Sequence, residues 1–289
     1  MKVLFCTDGS QISFDAIKNF ALYSKAQTVI DIICVIDWHF YPMYMESPIR
    51  NYQNTYEEIA DKILDFAQEN INSVGKIVDR KIKVFGNIAE EILKQTKKQE
   101  YELIILGSHG KKGIRSWLGS VSREVINTTH KNVFLSKNNS QNKKILFTTD
   151  GSQNSEYVIQ KAIDFLDFAN STIYLTYVQK DLNHIPIELK TNKTWLDKIQ
   201  EQQKEETKDI IKTAKKVFEK NNLSISQEIT LIGEPAEKIL EINEEHNFDL
   251  IIMGSHSKNA LQRLLLGSTS MRVLERAKNS VMIIYPRHK

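Results

Sequence analysis

A stretch of twelve residues occurs twice in this chain, 142 positions apart, and that duplication constrains the fold more than any other feature. Lys2–Ser13 reads KVLFCTDGSQIS and Lys144–Ser155 reads KILFTTDGSQNS, identical at nine of twelve positions. Three further pairs follow in the same order. Gly86–Leu93 (GNIAEEIL) answers Gly233–Leu240 (GEPAEKIL), Leu103–Gly110 (LIILGSHG) answers Leu250–Ser257 (LIIMGSHS), and Gly119–Ser122 (GSVS) answers Gly267–Ser270 (GSTS). Four colinear matches with one long period mean a duplicated domain and not a solenoid. The polar run Asn138–Asn142 reads as the linker, giving domains over 1–139 and 140–289. A chain of 289 residues has room for two such cores.

Within each half, strand and helix signals alternate. Val3–Thr7, Val29–Ile36, Ile77–Val84, Leu103–Gly107 and Val133–Ser136 are short, apolar and rich in β-branched residues, as strands buried on both faces are. Helical spacing lies between them. In the second half it is carried by Val158, Ala162, Phe165, Leu166 and Ala169, then by Ile210, Ile211, Ala214, Val217 and Phe218. The charges of Trp195–Lys220 read as a solvated helix face. Strands separated by helices imply right-handed crossovers. The expected fold is therefore α/β, two tandem doubly wound domains, each a five-stranded mostly parallel sheet with helices on both faces.

Ligands of such sheets bind beyond the carboxyl ends of the strands, where the strand order reverses. The repeated motifs fall there. Thr7-Asp8-Gly9-Ser10 and Thr149-Asp150-Gly151-Ser152 follow the first strand of each half, and Gly107-Ser108-His109 and Gly254-Ser255-His256 follow the fourth. If those strands are neighbours, each pair of motifs lines one crevice. An Asp there can accept hydrogen bonds from a ribose or an amino group, and glycine-rich turns let a phosphate approach main-chain N–H groups. Helices starting at Gly119-Ser120 and Gly267-Ser268 add unpaired N–H donors and partial positive charge, with the Ser hydroxyl free to cap the helix or meet a phosphate. Lys111, Lys112 and Arg115, and Lys258 and Arg263, add cations nearby. Each motif alone has a plainer reading: Asp-Gly-Ser as a turn with an N-cap, and His109 and His256 as loop-stabilising hydrogen bonders rather than metal ligands. Their joint occurrence in both halves, at the ends of the right strands, favours the ligand reading.

The formal charge of +3 gives no electrostatic case for nucleic acid or an anionic membrane surface as a partner. No apolar run reaches membrane-spanning length, and the first strand begins at once without a signal-peptide pattern, so a cytoplasmic location is expected. Cys6 and Cys34 lie in apolar strands without ligand spacing and are expected to be small buried hydrophobes.

Taken together, these residues resemble the universal stress protein family in its tandem, two-domain form. Its ATP-binding members carry Gly-x-x-Gly, nine residues, then Gly-Ser or Gly-Thr, with an Asp after strand one. The resemblance implies the strand order 3-2-1-4-5 in each half. It also implies ATP or another adenine nucleotide as ligand, with Mg2+ as its companion, and no catalytic or metal-ligating residues of the protein's own. The implied nucleotide set is Thr7, Asp8, Val35, Gly107, His109, Gly110, Gly119, Ser120 and Val121 in the first half. In the second half it is Thr149, Asp150, Val178, Gly254, His256, Ser257, Gly267, Ser268 and Thr269. Asp8 and Asp150 would contact the adenosine, main-chain groups at Val35 and Val178 the base, and the glycine and serine positions the phosphates. Both halves depart from the pattern. Eight residues, 111–118, precede Gly119 where the pattern has nine; the second half keeps nine, 258–266, but has Ser257 in place of the second glycine. A missing residue shifts the phosphate nest against the helix start, whereas a Ser costs roughly 1 kcal/mol at positive φ. The spacing therefore favours the second half and predicts that Asp150→Ala weakens ATP binding more than Asp8→Ala.

The leading functional expectation is an adenine-nucleotide-binding regulatory protein of the stress response. The alternative is a nucleotide-free scaffold, its halves paired as a pseudo-dimer through their last strands, Val133–Ser136 and Val281–Tyr285, with the chain able to form a homodimer. An enzyme of a related fold is disfavoured, because no Ser-Gly-Gly-x-Asp-Ser, His-x-Gly-His or Walker A signature is present and no general base or arginine finger is evident. The unrepeated Trp38–Met45 loop, aromatic and Met-rich, reads as packing or as a lid.

Overall fold

The computed structural model describes residues 1–37, 49–108, 118–137, 142–182, 193–255 and 266–286. The chain divides into two compact units, one built mainly from Met1–Gln141, the other from Asn142–Asp164 and Phe168–Asn279 with Ile283–Lys289.

Unit one runs β1 (Lys2–Cys6), α1 (Gln11–Tyr23), β2 (Val29–Asp37), α2 (Ile49–Ser73), β3 (Ile77–Gly86), α3 (Ile88–Lys98), β4 (Leu103–Gly107), α4 (Ser120–Thr128), β5 (Asn132–Ser136). Its strands lie in the order β3-β2-β1-β4-β5, every pair parallel. Val3, Leu4, Phe5, Leu103, Ile104 and Ile105 are fully buried, so the two central strands have no solvent face. Helices α1 and α2 pack together, as do α3 and α4, covering the two faces of the sheet. Local chemistry sets the helix ends. Ser10 caps α1, its hydroxyl accepting from Ser13 N. Asn87 caps α3, whose first turn carries Glu90 and Glu91 and whose last carries Lys97 and Lys98, matching the helix dipole at both ends.

Unit two repeats the plan: β6 (Lys144–Thr149), α5 (Gln153–Phe165), β7 (Thr172–Gln179), α6 (Lys193–Lys220), β8 (Gln227–Ile232), α7 (Pro235–His246), β9 (Leu250–Gly254), α8 (Ser268–Arg276), β10 (Ser280–Ile284). Its strand order is β8-β7-β6-β9-β10, the same 3-2-1-4-5 arrangement. Helix α5 stops at Phe165, so Leu166 and Ala169, whose spacing suggested a longer helix, lie beyond it. Helix α6 buries Ile210, Ile211, Ala214 and Phe218, and most of its other residues are exposed. Pro235 at its N-terminus and left-handed Asn247 at its C-cap delimit α7.

The units differ in chemistry at one buried strand-two position. Asp31 on β2 is fully buried and stands opposite Arg80 on β3 in the ladder. Its Oδ2 accepts from Arg80 Nη2 at 2.6 Å, Arg80 Nε at 3.0 Å and the Tyr101 hydroxyl at 2.6 Å, with Lys2 Nζ at 3.5 Å. Burial pushes the Asp31 carboxyl up, but the hydrogen bonds from Arg80 and Tyr101 and the charges of Arg80 and Lys2 outweigh it and hold it below its ordinary value. Burial and the bond to Asp31 push the Tyr101 phenol up to about 12. In unit two the same register pairs Tyr174 with Gln227, and Tyr174 packs edge-on against Phe248, ring centroids 5.0 Å apart, and against His246 at 5.5 Å. An ionic cluster in one copy is an aromatic cluster in the other.

Candidate functional site

The first and fourth strands of each copy are neighbours, Val3–Phe5 beside Leu103–Ile105 and Ile145–Phe147 beside Leu250–Ile252. The two repeated motifs therefore meet at one strand-end crevice in each unit, as doubly wound sheets require at their switch point.

At the end of β1, Thr7 Oγ1 lies 2.8 Å from Ser13 Oγ and accepts from Gly9 N at 3.1 Å, while Asp8 Oδ1 accepts from Ser10 N at 2.9 Å. The turn is thus closed by its own side chains. Unit two builds it in the same way: Thr149 Oγ1 lies 2.9 Å from Ser155 Oγ, and Asp150 Oδ1 accepts from Ser152 N at 3.0 Å and from the Ser152 hydroxyl at 2.6 Å. Gly9 and Gly151 have φ of +75° and +72°, which glycine alone adopts without strain. A Cβ at Gly151 would also stand 2.5 Å from Ile210 Cγ1. Gly151→Ala is accordingly expected to cost unit two roughly 1–2 kcal/mol, read as a lower urea midpoint.

The end of β4 is fastened to the start of α4. Gly119 N donates to Ser108 O at 2.7 Å, and the Ser122 hydroxyl donates to Gly107 O at 2.8 Å. In unit two Gly267 N donates to Ser255 O at 2.6 Å and the Ser270 hydroxyl to Gly254 O at 2.7 Å. The helix N-caps are Gly119 and Gly267, which supply no side-chain cap, so Ser120 and Ser268 are first helical residues and not caps. The first turns of α4 and α8 thus receive no side-chain oxygen from their N-cap residues, the arrangement that suits anions. Gly107 packs closely on α1: a Cβ there would lie 3.2 Å from Ile12 Cγ2, which would have to shift slightly.

In unit one these parts line a crevice of about 840 Å³. Thr7 and Asp8 follow β1, Val35, Ile36 and Asp37 come from β2, Gly107 from β4, and Gly119, Ser120 and Val121 from the start of α4. One wall is apolar, made by Tyr56, Ile59, Ala60 and Ile63 of α2 with Ile88 and Ile92 of α3. Cys6 and Cys34 also reach it; both are buried and outside any disulfide, and burial pushes Cys6 far up, leaving it a thiol.

Of the residues expected from sequence, Thr7, Asp8, Val35, Gly107, Gly119, Ser120 and Val121 are therefore brought together. In unit two Thr149 and Asp150 close the β6 turn, Val178 is buried near the end of β7, Gly254 ends β9, and Gly267, Ser268 and Thr269 begin α8. His109, Gly110, His256 and Ser257 lie outside the described residues, as do the cations Lys111, Lys112, Arg115, Lys258 and Arg263 and the Trp38–Met45 loop. Sequence reasoning did not single out Ser13 and Ser155, or Ser122 and Ser270, though all four sit inside the repeated motifs and that repetition was their signal. The α2 wall is unrepeated and gave none.

This geometry is that of a doubly wound α/β domain built twice, and comparison with known proteins identifies the family. The model of the universal stress protein family matches residues 1–137 and again 141–285. The chain belongs to the universal stress protein family and carries its domain in tandem. Universal stress protein MJ0531 of Methanocaldococcus jannaschii is 35% identical over 142 residues, 49% of this chain and 81% of that protein. Universal stress protein MJ0577 of the same organism is 27% identical over 153 residues, 49% of this chain and 94% of that protein. The crystal structure of a universal stress protein from Archaeoglobus fulgidus DSM 4304 matches 99% of this chain and 96% of its own, with a TM-score of 0.66 at 20% identity, a likeness of fold. Among the described residues no helix is long and apolar enough to cross a membrane.

Proposed function

We propose that this protein is an adenine-nucleotide-binding regulatory protein whose ligand, ATP or AMP, occupies the strand-end crevice. The carrying observation is the convergence, in one crevice of about 840 Å³, of three unlike surfaces. The apolar wall of Tyr56, Ile59, Ala60 and Ile63 suits a flat base, the Asp8 carboxylate can accept from a ribose hydroxyl, and the uncapped start of α4 suits phosphate. By the family resemblance the phosphates bring Mg2+ with them as counter-ion. The described lining contains two carboxylates, Asp8 and Asp37, and no His, Lys or Arg, which favours binding over turnover. The companion expectation, a homodimer of the whole chain, is read directly by light scattering.

Calorimetric titration with ATP and with AMP tests the reading, alongside mass analysis of any nucleotide released by gentle denaturation. Binding is expected, and Asp8→Ala should weaken it roughly 10- to 100-fold, the range for losing a hydrogen bond to a charged group. Failure of both nucleotides to bind the intact chain would overturn the proposal.

A further inference from the structure

The two crevices have the same frame but different walls. Ile63 and Ile210 mark equivalent helix positions, since each is the side chain that a Cβ at Gly9 or Gly151 would strike. One turn earlier the helices diverge. The α2 positions Tyr56, Ile59 and Ala60 become Gln203, Glu206 and Thr207 on α6. On the second strand Ile36, opposite Phe85, becomes Gln179, opposite Ile232 in the same register.

These polar replacements bond to one another. Gln179 Nε2 donates to Gln203 Oε1 at 2.9 Å, and the Thr207 hydroxyl divides between Gln179 Oε1 at 3.0 Å and Gln203 O at 2.8 Å. The strand-two end and the helix are thus tied by side chains across the surface that in unit one is open and apolar. Glu206 and Asp150 both act on Tyr177, whose phenol is raised by burial first and then by these two carboxylates. Unit one has Cys34 in place of Tyr177 and Ile59 in place of Glu206, and its second lining carboxylate, Asp37, stands at the strand-two position where unit two has Lys180.

We propose that Gln179, Gln203, Glu206 and Thr207 determine specificity by closing the second crevice to adenine nucleotides, so that the chain binds one nucleotide, in unit one. The inference rests on the nucleotide reading above. A base entering unit two must break the Gln179–Gln203 and Gln179–Thr207 bonds and displace these half-buried side chains from their partners. A polyphosphate must also approach the Glu206 carboxylate at the helix position where unit one presents Ile59. The wall chemistry points opposite to the loop spacing, which favours unit two.

The test is the stoichiometry of ATP binding to the full chain by calorimetry, in three proteins. Wild type is expected to bind one ATP. Ile59→Glu places a charge on the unit-one wall at a helix position 45% exposed, where Glu is compatible with the helix, and should weaken binding roughly tenfold or more. The combined variant Gln179→Ile, Gln203→Tyr, Glu206→Ile, Thr207→Ala copies the unit-one wall into unit two and should bind two. Two ATP on wild type, or a single site indifferent to Ile59→Glu, would overturn the assignment of the site to unit one. A combined variant that still binds one would overturn the role given to these side chains. Absence of any binding is a different result, since it removes the nucleotide reading itself.

Discussion

Arg80→Ala is expected to destabilise unit one by about 3 kcal/mol, the lower end of the cost of stripping a buried ion of its partner. The low end applies because the Arg80 side chain is 42% exposed and because Lys2 and Tyr101 remain beside Asp31. Asp31 itself is fully buried, and its second oxygen, Oδ1, already has no hydrogen-bond partner among the described residues. Amide hydrogen exchange of β1, β2 and β3 reads the loss in the unit concerned, without requiring the whole chain to unfold in one step. Replacing both Asp31 and Arg80 by leucine should recover most of the loss, because unit two holds the same register with Tyr174, Gln227 and Phe248. If the double replacement is as unstable as Arg80→Ala, the cluster is a genuine source of stability and not merely self-compensating.

The cluster also sets a pH dependence. The folded Asp31 carboxyl lies below its ordinary value, so its contribution is complete above the unfolded value of about 3.9 and is lost as pH falls through the folded one. Exchange protection of β2 should therefore fall more steeply below about pH 4 in wild type than in Asp31→Asn.

Phe147→Ala is expected to cost unit two about 4 kcal/mol, within the range for emptying an aromatic site in a closed core. Phe147 is fully buried on β6, meets Phe218 of α6 edge-on with centroids 4.9 Å apart, and lies 5.7 Å from Phe168. Its removal leaves a void between strand and helix that the flanking ladders to β7 and β9 prevent from collapsing. Loss of exchange protection should reach the β6, β7 and β9 amides. A change under about 1 kcal/mol would mean that α6 moves in to refill the space.

The frame of both units was legible in the sequence because duplication marks what two copies cannot lose. The Thr-Asp-Gly-Ser turns sit where the chain passes through a positive φ, and the Gly-Ser starts of α4 and α8 sit where main chain meets main chain. Strand order followed from the alternation of elements and the family pattern. The walls were not legible. Tyr56, Ile59 and Ala60 lie in a stretch between strands that carried no motif, and their polar replacements on α6 read as a solvated face, because helical period does not say whether a flank faces water or a crevice. The Asp31 cluster was equally hidden. Its members lie 49 and 21 residues apart along the chain, and only the β2–β3 register and the Tyr101 ring bring them together.

The fastening of Gly119 to Ser108 and of Gly267 to Ser255 has one more consequence. Eight residues, 111–118, precede Gly119 and nine, 258–266, precede Gly267, yet both helices leave their strands through the same pair of bonds. Length differences between the clasped ends are thus uncoupled from the scaffold. The clasp therefore lets two copies of one domain differ in the length of chain they carry at the crevice while the strand-to-helix passage that frames it stays the same.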